Sequence, residues 1–267
     1  PSGLEGSLLV SYVSNRQELQ NTLEHTFRAV QASYDTWVKR QKPAILVEEF
    51  MVGDMYTVDT YVDAQGTCYR TPVISTLVAR KVGYDDLFGY RASLPSGLDP
   101  DDEVRAQQAA TAACRAVGLR STTAHVEMMR TANGWKIIEL GPRIGGYRYD
   151  MLKHAYGMNH IMNDILNRAN EVPEVPKELQ KHVAVFNIYP RTEGVLRTVY
   201  GLEETKKLAS FTYLRQNVLV GEQALFAKNG GDVVINVMLS HADKGQLEAD
   251  AAAVEAAITF EVEAQNS

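Results

Sequence analysis

The sequence predicts an α+β chain in which antiparallel sheets are packed by helices, followed by a smaller sheet-rich domain. Three observations predict it. Residues 124–140 read as two short apolar strands around a tight turn at Thr131-Ala132-Asn133-Gly134. Residues 54–78 repeat the strand–turn–strand pattern around Asp63-Ala64-Gln65-Gly66. Stretches of helical period precede both hairpins, and beyond a proline-bearing segment at 171–176 the pattern turns strand-rich.

The elements follow in order. Residues 7–13 (SLLVSYV) read as a strand. Asn15 or Ser14 can cap a helix running to Trp37, with Leu19, Leu23, Phe27, Val30 and Tyr34 on one stripe. Residues 44–50 read as a buried strand. From Asp54 to Val62, Tyr56, Val58, Thr60 and Val62 alternate with polar or small neighbours, the period of a strand. The turn at 63–66 returns 67–78 as its partner. Residues 79–100 hold several Gly, Asp and Pro and read as a long loop, often a functional feature in a compact domain. A helix over 101–117 ends at Gly118. Residues 147–170 are helical with a break near Gly157, and Pro173 and Pro176 stop the helix. Strands follow at 182–189, 194–199, 210–220 and 232–239, then a helix at 243–257 and a strand at 258–263. The domain reading is therefore 1–172, a linker at 173–181, and a small α+β domain at 182–267.

Composition narrows the function. A chain of 267 residues holds one large domain or two modest ones. Its net charge of −6, with no basic block, argues against nucleic acid as a partner. No apolar run reaches the roughly 18 residues of a membrane span. Cys68 and Cys114 lack metal-site spacing and fit free thiols in a reducing cytoplasm.

The chemistry concentrates in residues 124–146. A hairpin centred on Asn133 sets Glu127 and Glu139, each six residues away, directly opposite each other on one face. Two like charges at about 5 Å are unfavourable unless a cation sits between them, and a divalent metal is the simplest answer. Val126, Met128, Ile137, Ile138 and Leu140 flank the pair, so both faces of the hairpin are expected to be partly covered. Gly141-Pro142-Arg143-Ile144-Gly145-Gly146 then offers an arginine on flexible backbone, equipment for holding phosphate. His125 shares the face of Glu127. Tyr147, Arg148 and Tyr149 either line a substrate pocket or start a helix at the surface.

Two weaker runs accompany this one. Residues 45–54 (ILVEEFMVGD) end an apolar strand at two acids. Such a strand end can present one C=O and, two residues on, one N–H, which matches adenine's amino edge and ring nitrogen. An acid a few residues later can reach ribose hydroxyls. Residues 1–7 (PSGLEGS) form a Gly/Ser-rich loop whose N–H groups can cradle phosphates. Arg80 and Lys81, in front of the long loop, can meet an anionic substrate.

Taken in order, these runs resemble the ATP-grasp superfamily of carboxylate–amine ligases over about residues 1–170. The two-glutamate element followed by PRIGG is the most specific part. Residues 182–265 more loosely resemble the C-terminal domain of its amino-acid, dipeptide-forming branch. The resemblance implies that Glu127 and Glu139 hold Mg²⁺, or Mn²⁺ in its place, on the phosphates of ATP. It implies that Arg143 steadies the γ-phosphate or acyl phosphate. Glu48 and the backbones of Glu49 and Met51 match the adenine-binding strand end, Asp54 the acid at the ribose, and Gly3 and Gly6 the loop over the phosphates. The implied partners are ATP and small carboxylate and amine substrates, and a homodimer is compatible.

Two departures matter. Gly141 stands where many members carry a third metal ligand, asparagine, and the amino-acid ligase branch often has a small residue there. The family's phosphate-binding lysine falls before Pro1, as does an N-terminal domain that walls the substrate site. The chain therefore reads as the C-terminal part of such an enzyme, partnered by the missing N-terminal part and turning over no substrate alone. The rivals are a biotin-carboxylase-like or purine-biosynthetic ATP-grasp enzyme using bicarbonate or formate, and a nucleotide-binding module without catalysis.

Overall fold

The computed structural model describes residues 8–37 and 44–264. Gly3 and Gly6 lie outside them. Helix α1 (Arg16–Trp37) begins at a reciprocal cap: Asn15 Oδ1 accepts the Glu18 N–H at 3.0 Å, and the Glu18 carboxylate accepts the Ser14 N–H at 2.8 Å.

Two expected strands are not there. Residues 10–13 are irregular after a turn at Leu8 and Leu9. Residues 44–52 are irregular and open to solvent, with Leu46 and Val52 each 76% exposed. Apolar composition favours a strand only where a neighbouring ladder satisfies the backbone. Among the described residues no strand pairs with 44–52. Pairing starts at Gly53, where β1 (Gly53–Val62) meets Thr131 of β5 (Thr122–Thr131).

The expected return strand is split into β2 (Cys68–Arg70) and β3 (Ile74–Val78) around Pro72, which has no N–H to give the ladder. The expected long loop, 79–100, instead holds a 3₁₀ turn (Ala79–Val82) and a central strand, β4 (Gly89–Leu94). Buried Tyr90, Ala92 and Leu94 alternate with Gly89, Arg91 and Ser93 there, a period that the flanking Gly, Asp and Pro conceal. Helix α2 (Pro100–Ala116) has Asp99 as its cap, accepting the Asp102 N–H at 2.8 Å. Strand β6 (Gly134–Gly141) completes the glutamate hairpin. Helices α3 (Arg148–Tyr156) and α4 (His160–Arg168) are separated at Gly157, whose φ of +68° suits glycine.

The remaining elements are β7 (His182–Ile188), β8 (Gly194–Tyr200), a short α5 (Leu202–Thr205), β9 (Phe211–Gln216), β10 (Gln223–Ala224), β11 (Ile235–His241), α6 (Lys244–Ala257) and β12 (Thr259–Glu263). A nine-stranded antiparallel sheet runs β6-β5-β1-β3-β4-β7-β11-β9, with β2 beside β1, and β10-β8-β12 form a second sheet. The segment 173–181 is irregular, and the large sheet continues across it because β7 pairs with β4.

One face of the large sheet packs under α3, with Tyr61, Ile74, Leu94, Met151, Leu152, Val183, Val185 and Met238 in one core. The other packs under α2, through Val58, Val62, Ala106, Ala110, Val126 and Met128, and under α6, through Phe186, Val237, Leu247 and Val254. Among the described residues no helix is long and apolar enough to cross a membrane.

Candidate active site

Glu127 and Glu139 are direct partners in the β5–β6 ladder, but the route differs from a hairpin centred on Asn133. The pairs Thr131↔Gly134, Arg130↔Trp135, Met129↔Lys136 and Met128↔Ile137 leave a two-residue turn at Ala132-Asn133. Continued without interruption, that register sets Glu127 against Ile138 and turns Glu139 to the other face. A β-bulge between Glu127 and Met128 absorbs the extra residue and restores the pair Glu127↔Glu139. The bulge therefore puts both carboxylates on one face. The opposite face is covered, with Val126 and Met128 fully buried against α2, while Ile137 remains 39% exposed.

The pair shows the electrostatic signature of close like charges. Partial burial, and then the charge of Glu127, push the Glu139 carboxyl above its ordinary range. Arg143 acts against that shift from nearby. Its guanidinium is exposed, donates to the Ile144 carbonyl at 3.1 Å, and has no acidic partner among the described residues. Its side chain lies over Gly141, where an added Cβ meets Arg143 Cγ at 3.6 Å. A small side chain at 141 would therefore pack against Arg143 in ordinary contact.

Behind Glu127 lies a buried chain of polar groups. Glu127 Oε1 is 3.3 Å from His125 Nε2, and His125 Nδ1 is 2.5 Å from Asp59 Oδ1. Asp59 Oδ2 accepts from His160 Nε2 at 2.6 Å and from the Gly145 N–H at 2.9 Å. The other His160 nitrogen is hydrogen-bonded to the Tyr61 hydroxyl. Burial raises the Asp59 pKa, yet the hydrogen bonds and charges of the two histidines outweigh it and hold the group far below the ordinary carboxylate range. Burial lowers the His125 pKa, but Asp59 and Glu127 prevail and raise it. The carboxylate of Asp59 thereby fixes two things at once: the imidazole against Glu127 and the glycine loop after Arg143. Gly145 is required, since a Cβ there lies 2.4 Å from His125 Nδ1.

Sequence reading placed His125 on the face of Glu127 but missed Asp59, His160 and Tyr61. In the strand 54–62 the sequence sets Tyr56, Val58, Thr60 and Val62 against polar or small neighbours, whereas from Tyr56 onward both sides are buried. Asp59 and His160 are separated by 101 positions, so no local spacing joins them.

The other predicted residues do not converge here. Glu48 and Glu49 are exposed and Met51 half-buried in the irregular segment 44–52. Asp54 is in β1, but alternation puts it on the α2 face with Tyr56, opposite the glutamates, and it is ion-paired with Lys81. It borders a depression of about 160 Å³ shared with Tyr56, Ser75, Arg91 and Ser93. Arg80 lies over the Tyr12 ring at 4.1 Å. Among the described residues no group of three or more His, Cys, Asp or Glu side chains is arranged to hold a metal. Two carboxylates fit Mg²⁺, which keeps waters and shares substrate phosphates rather than occupying a closed protein cage.

A model of the ATP-grasp domain matches residues 1–150. The chain belongs to the ATP-grasp family. It is similar to carnosine synthase 1 of Mus musculus, at 30% identity over 154 residues, covering 57% of this chain and 17% of that protein. It thus spans about a fifth or less of that relative's length. An L-amino acid ligase from Bacillus licheniformis has the same fold, with a TM-score of 0.80 at 19% identity over 94% of this chain and 62% of that one. So does the biotin carboxylase domain of a Hydrogenobacter thermophilus 2-oxoglutarate carboxylase, determined with MgADP, ADP and bicarbonate. There the TM-score is 0.67 at 12% identity over 97% and 56%. The mixed helix and antiparallel-sheet architecture of this chain is thus that of ATP-grasp ligases.

Proposed function

We propose that this protein is an ATP-dependent ligase that activates a small carboxylate as an acyl phosphate and transfers the acyl group to an amine, such as an amino acid, to form an amide. The observation that carries the reading is the Glu127–Glu139 pair on one sheet face, followed by Arg143, in a chain similar to carnosine synthase. Glu127 and Glu139 would hold Mg²⁺, which would supply neutralisation of charge on the terminal phosphates. Arg143 steadies the phosphoryl group as it moves, by charge-assisted hydrogen bonds. The Asp59–His125 contact keeps Glu127 in place, and the Asp59–Gly145 bond keeps the loop beneath the phosphates. Glu48 with the backbones of Glu49 and Met51 receives the adenine, which requires segment 44–52 to settle on the nucleotide. Asp54 has no part in this, because it lies on the opposite face and is paired with Lys81. The buried free thiols of Cys68 and Cys114 support a cytoplasmic, reducing location.

The test is ATP consumption by the intact protein with Mg²⁺ and a panel of amino acids, singly and in pairs, beside bicarbonate and formate. The expected result is ADP and phosphate release that depends on a carboxylate and an amine together, with one amide formed per ATP. Turnover supported by bicarbonate or formate alone, or no turnover with any of them, overturns the reading.

A further inference from the structure

Helix α3 buries Arg148, Met151, Leu152, Ala155 and Tyr156, the i, i+3, i+4, i+7, i+8 stripe that faces the sheet. Four of the five are apolar or aromatic, and the first is an arginine only 5% exposed. Among the described residues no carboxylate pairs with it. Its Nε is buried without an acceptor, and Nη1 reaches only the Met151 sulfur at 4.0 Å, a weak acceptor. The guanidinium also lies 4.6 Å from the centre of the Tyr147 ring. A buried, unpaired cation on a packing stripe is costly, and local rules of packing are broken chiefly where function demands it.

The position of this group points to its ligand. The stem of Arg148 crosses Gly145, whose added Cβ meets Arg148 Cγ at 2.6 Å and His125 Nδ1 at 2.4 Å. It therefore packs beside the imidazole that touches Glu127. Helix α3 starts without a side-chain cap at Tyr147; the Arg148 N–H donates to the Gly145 carbonyl at 3.4 Å, and no acceptor meets the Tyr149 and Asp150 N–H groups among the described residues. Space beside Gly146 is empty of protein within 4 Å of an added Cβ. Asp150, in the first turn, acts on Tyr213 of β9 and makes no ion pair with Arg148.

We propose that Arg148 and the N-terminus of α3 bind the carboxylate that this enzyme activates. The inference rests on the ligase reading and names the part of the site that reading leaves unfilled. The phosphates already have Glu127, Glu139 and Arg143. Arg148 and the start of α3 follow Arg143 directly across the Gly145-Gly146 turn, which leaves them to receive the carboxylate. A guanidinium is the side chain that receives a carboxylate on two parallel hydrogen bonds.

The experiment compares Arg148→Met and Arg148→Lys with wild type in the intact protein. Its readouts are thermal melting, Mg·ATP affinity by calorimetry, and KM for each amino acid of the panel. Met keeps the stem and removes the charge. Arg148→Met is expected to melt no lower than wild type and to bind Mg·ATP within twofold. Its KM for the activated carboxylate should rise about tenfold or more, with the amine KM unchanged. Lys should fall between the two. A lower melting temperature with unchanged KM shows a packing role and overturns the proposal. A rise in the Mg·ATP dissociation constant instead assigns Arg148 to phosphate and overturns it too. If wild type turns over ATP with no carboxylate of the panel, the ligase reading itself fails and takes this assignment with it.

Discussion

Replacing Glu139 by glutamine is expected to weaken Mg·ATP binding by about 100-fold and to abolish measurable turnover. Among the described residues two carboxylates are all that this face offers a hard cation, and even outer partners of metal ligands are worth about 10–100-fold in affinity. Glutamine keeps the size of the side chain and removes half of the site's charge. The fold should not suffer. The Glu139 pKa is raised by partial burial and by Glu127, so the ionised form is less favoured in the folded chain than in the unfolded one. Above that raised pKa the charge works against folding, and a neutral side chain relieves it. Calorimetry with Mg·ATP and a melting curve on the same variant check both halves. Wild-type affinity, or a large fall in melting temperature, contradicts the assigned role.

The second large effect concerns stability. Asp59→Ala is expected to cost about 3–5 kcal/mol, the range for breaking a buried charged pair. The carboxylate is 2% exposed and accepts from His125, His160 and the Gly145 N–H, and all three lose their acceptor together. The pH dependence follows from the two shifts. The Asp59 pKa is depressed, so its contribution is present above the ordinary value of 3.8 and is lost as pH falls towards the folded value. The His125 pKa is raised, so its contribution is present below 6.5 and is lost as pH rises through the folded value. The difference between wild type and Asp59→Ala should therefore peak between pH 4 and 6.5 and shrink on either side. Urea denaturation across that range measures it, and a difference independent of pH shows that packing alone accounts for the loss.

The glutamate pair was legible because strand period and turn chemistry are local. Its exact geometry was not. A two-residue turn plus one bulged residue brings Glu127 and Glu139 into the same register as a hairpin centred on Asn133, so the count of residues cannot separate them. Residues 44–50 misled for the opposite reason. Val47 and Phe50 look like strand residues, but a strand is a relation between neighbours, and among the described residues none pairs there. Strand β4 was concealed because Tyr90, Ala92 and Leu94 stand among glycines, acids and a proline, yet lie between β3 and β7 in the middle of the sheet. Asp59, His160 and Tyr61 were beyond reach for a topological reason. Sheet and helix bring them together across about a hundred positions, and each looks unexceptional in its own segment.

The central claim is that the metal–nucleotide sits on the sheet face between Glu127 and Glu139, ahead of Arg143. The most direct measurement is paramagnetic broadening of backbone amide resonances on adding Mn²⁺·ATP to the isotopically labelled protein. The account predicts that the strongest losses fall at residues 126–128, 138–140 and 143–146, and that they vanish from these positions in Glu127→Gln/Glu139→Gln. Losses centred on the α2 face around Asp54, Tyr56 and Ser75, or an unchanged pattern in the double variant, would contradict it.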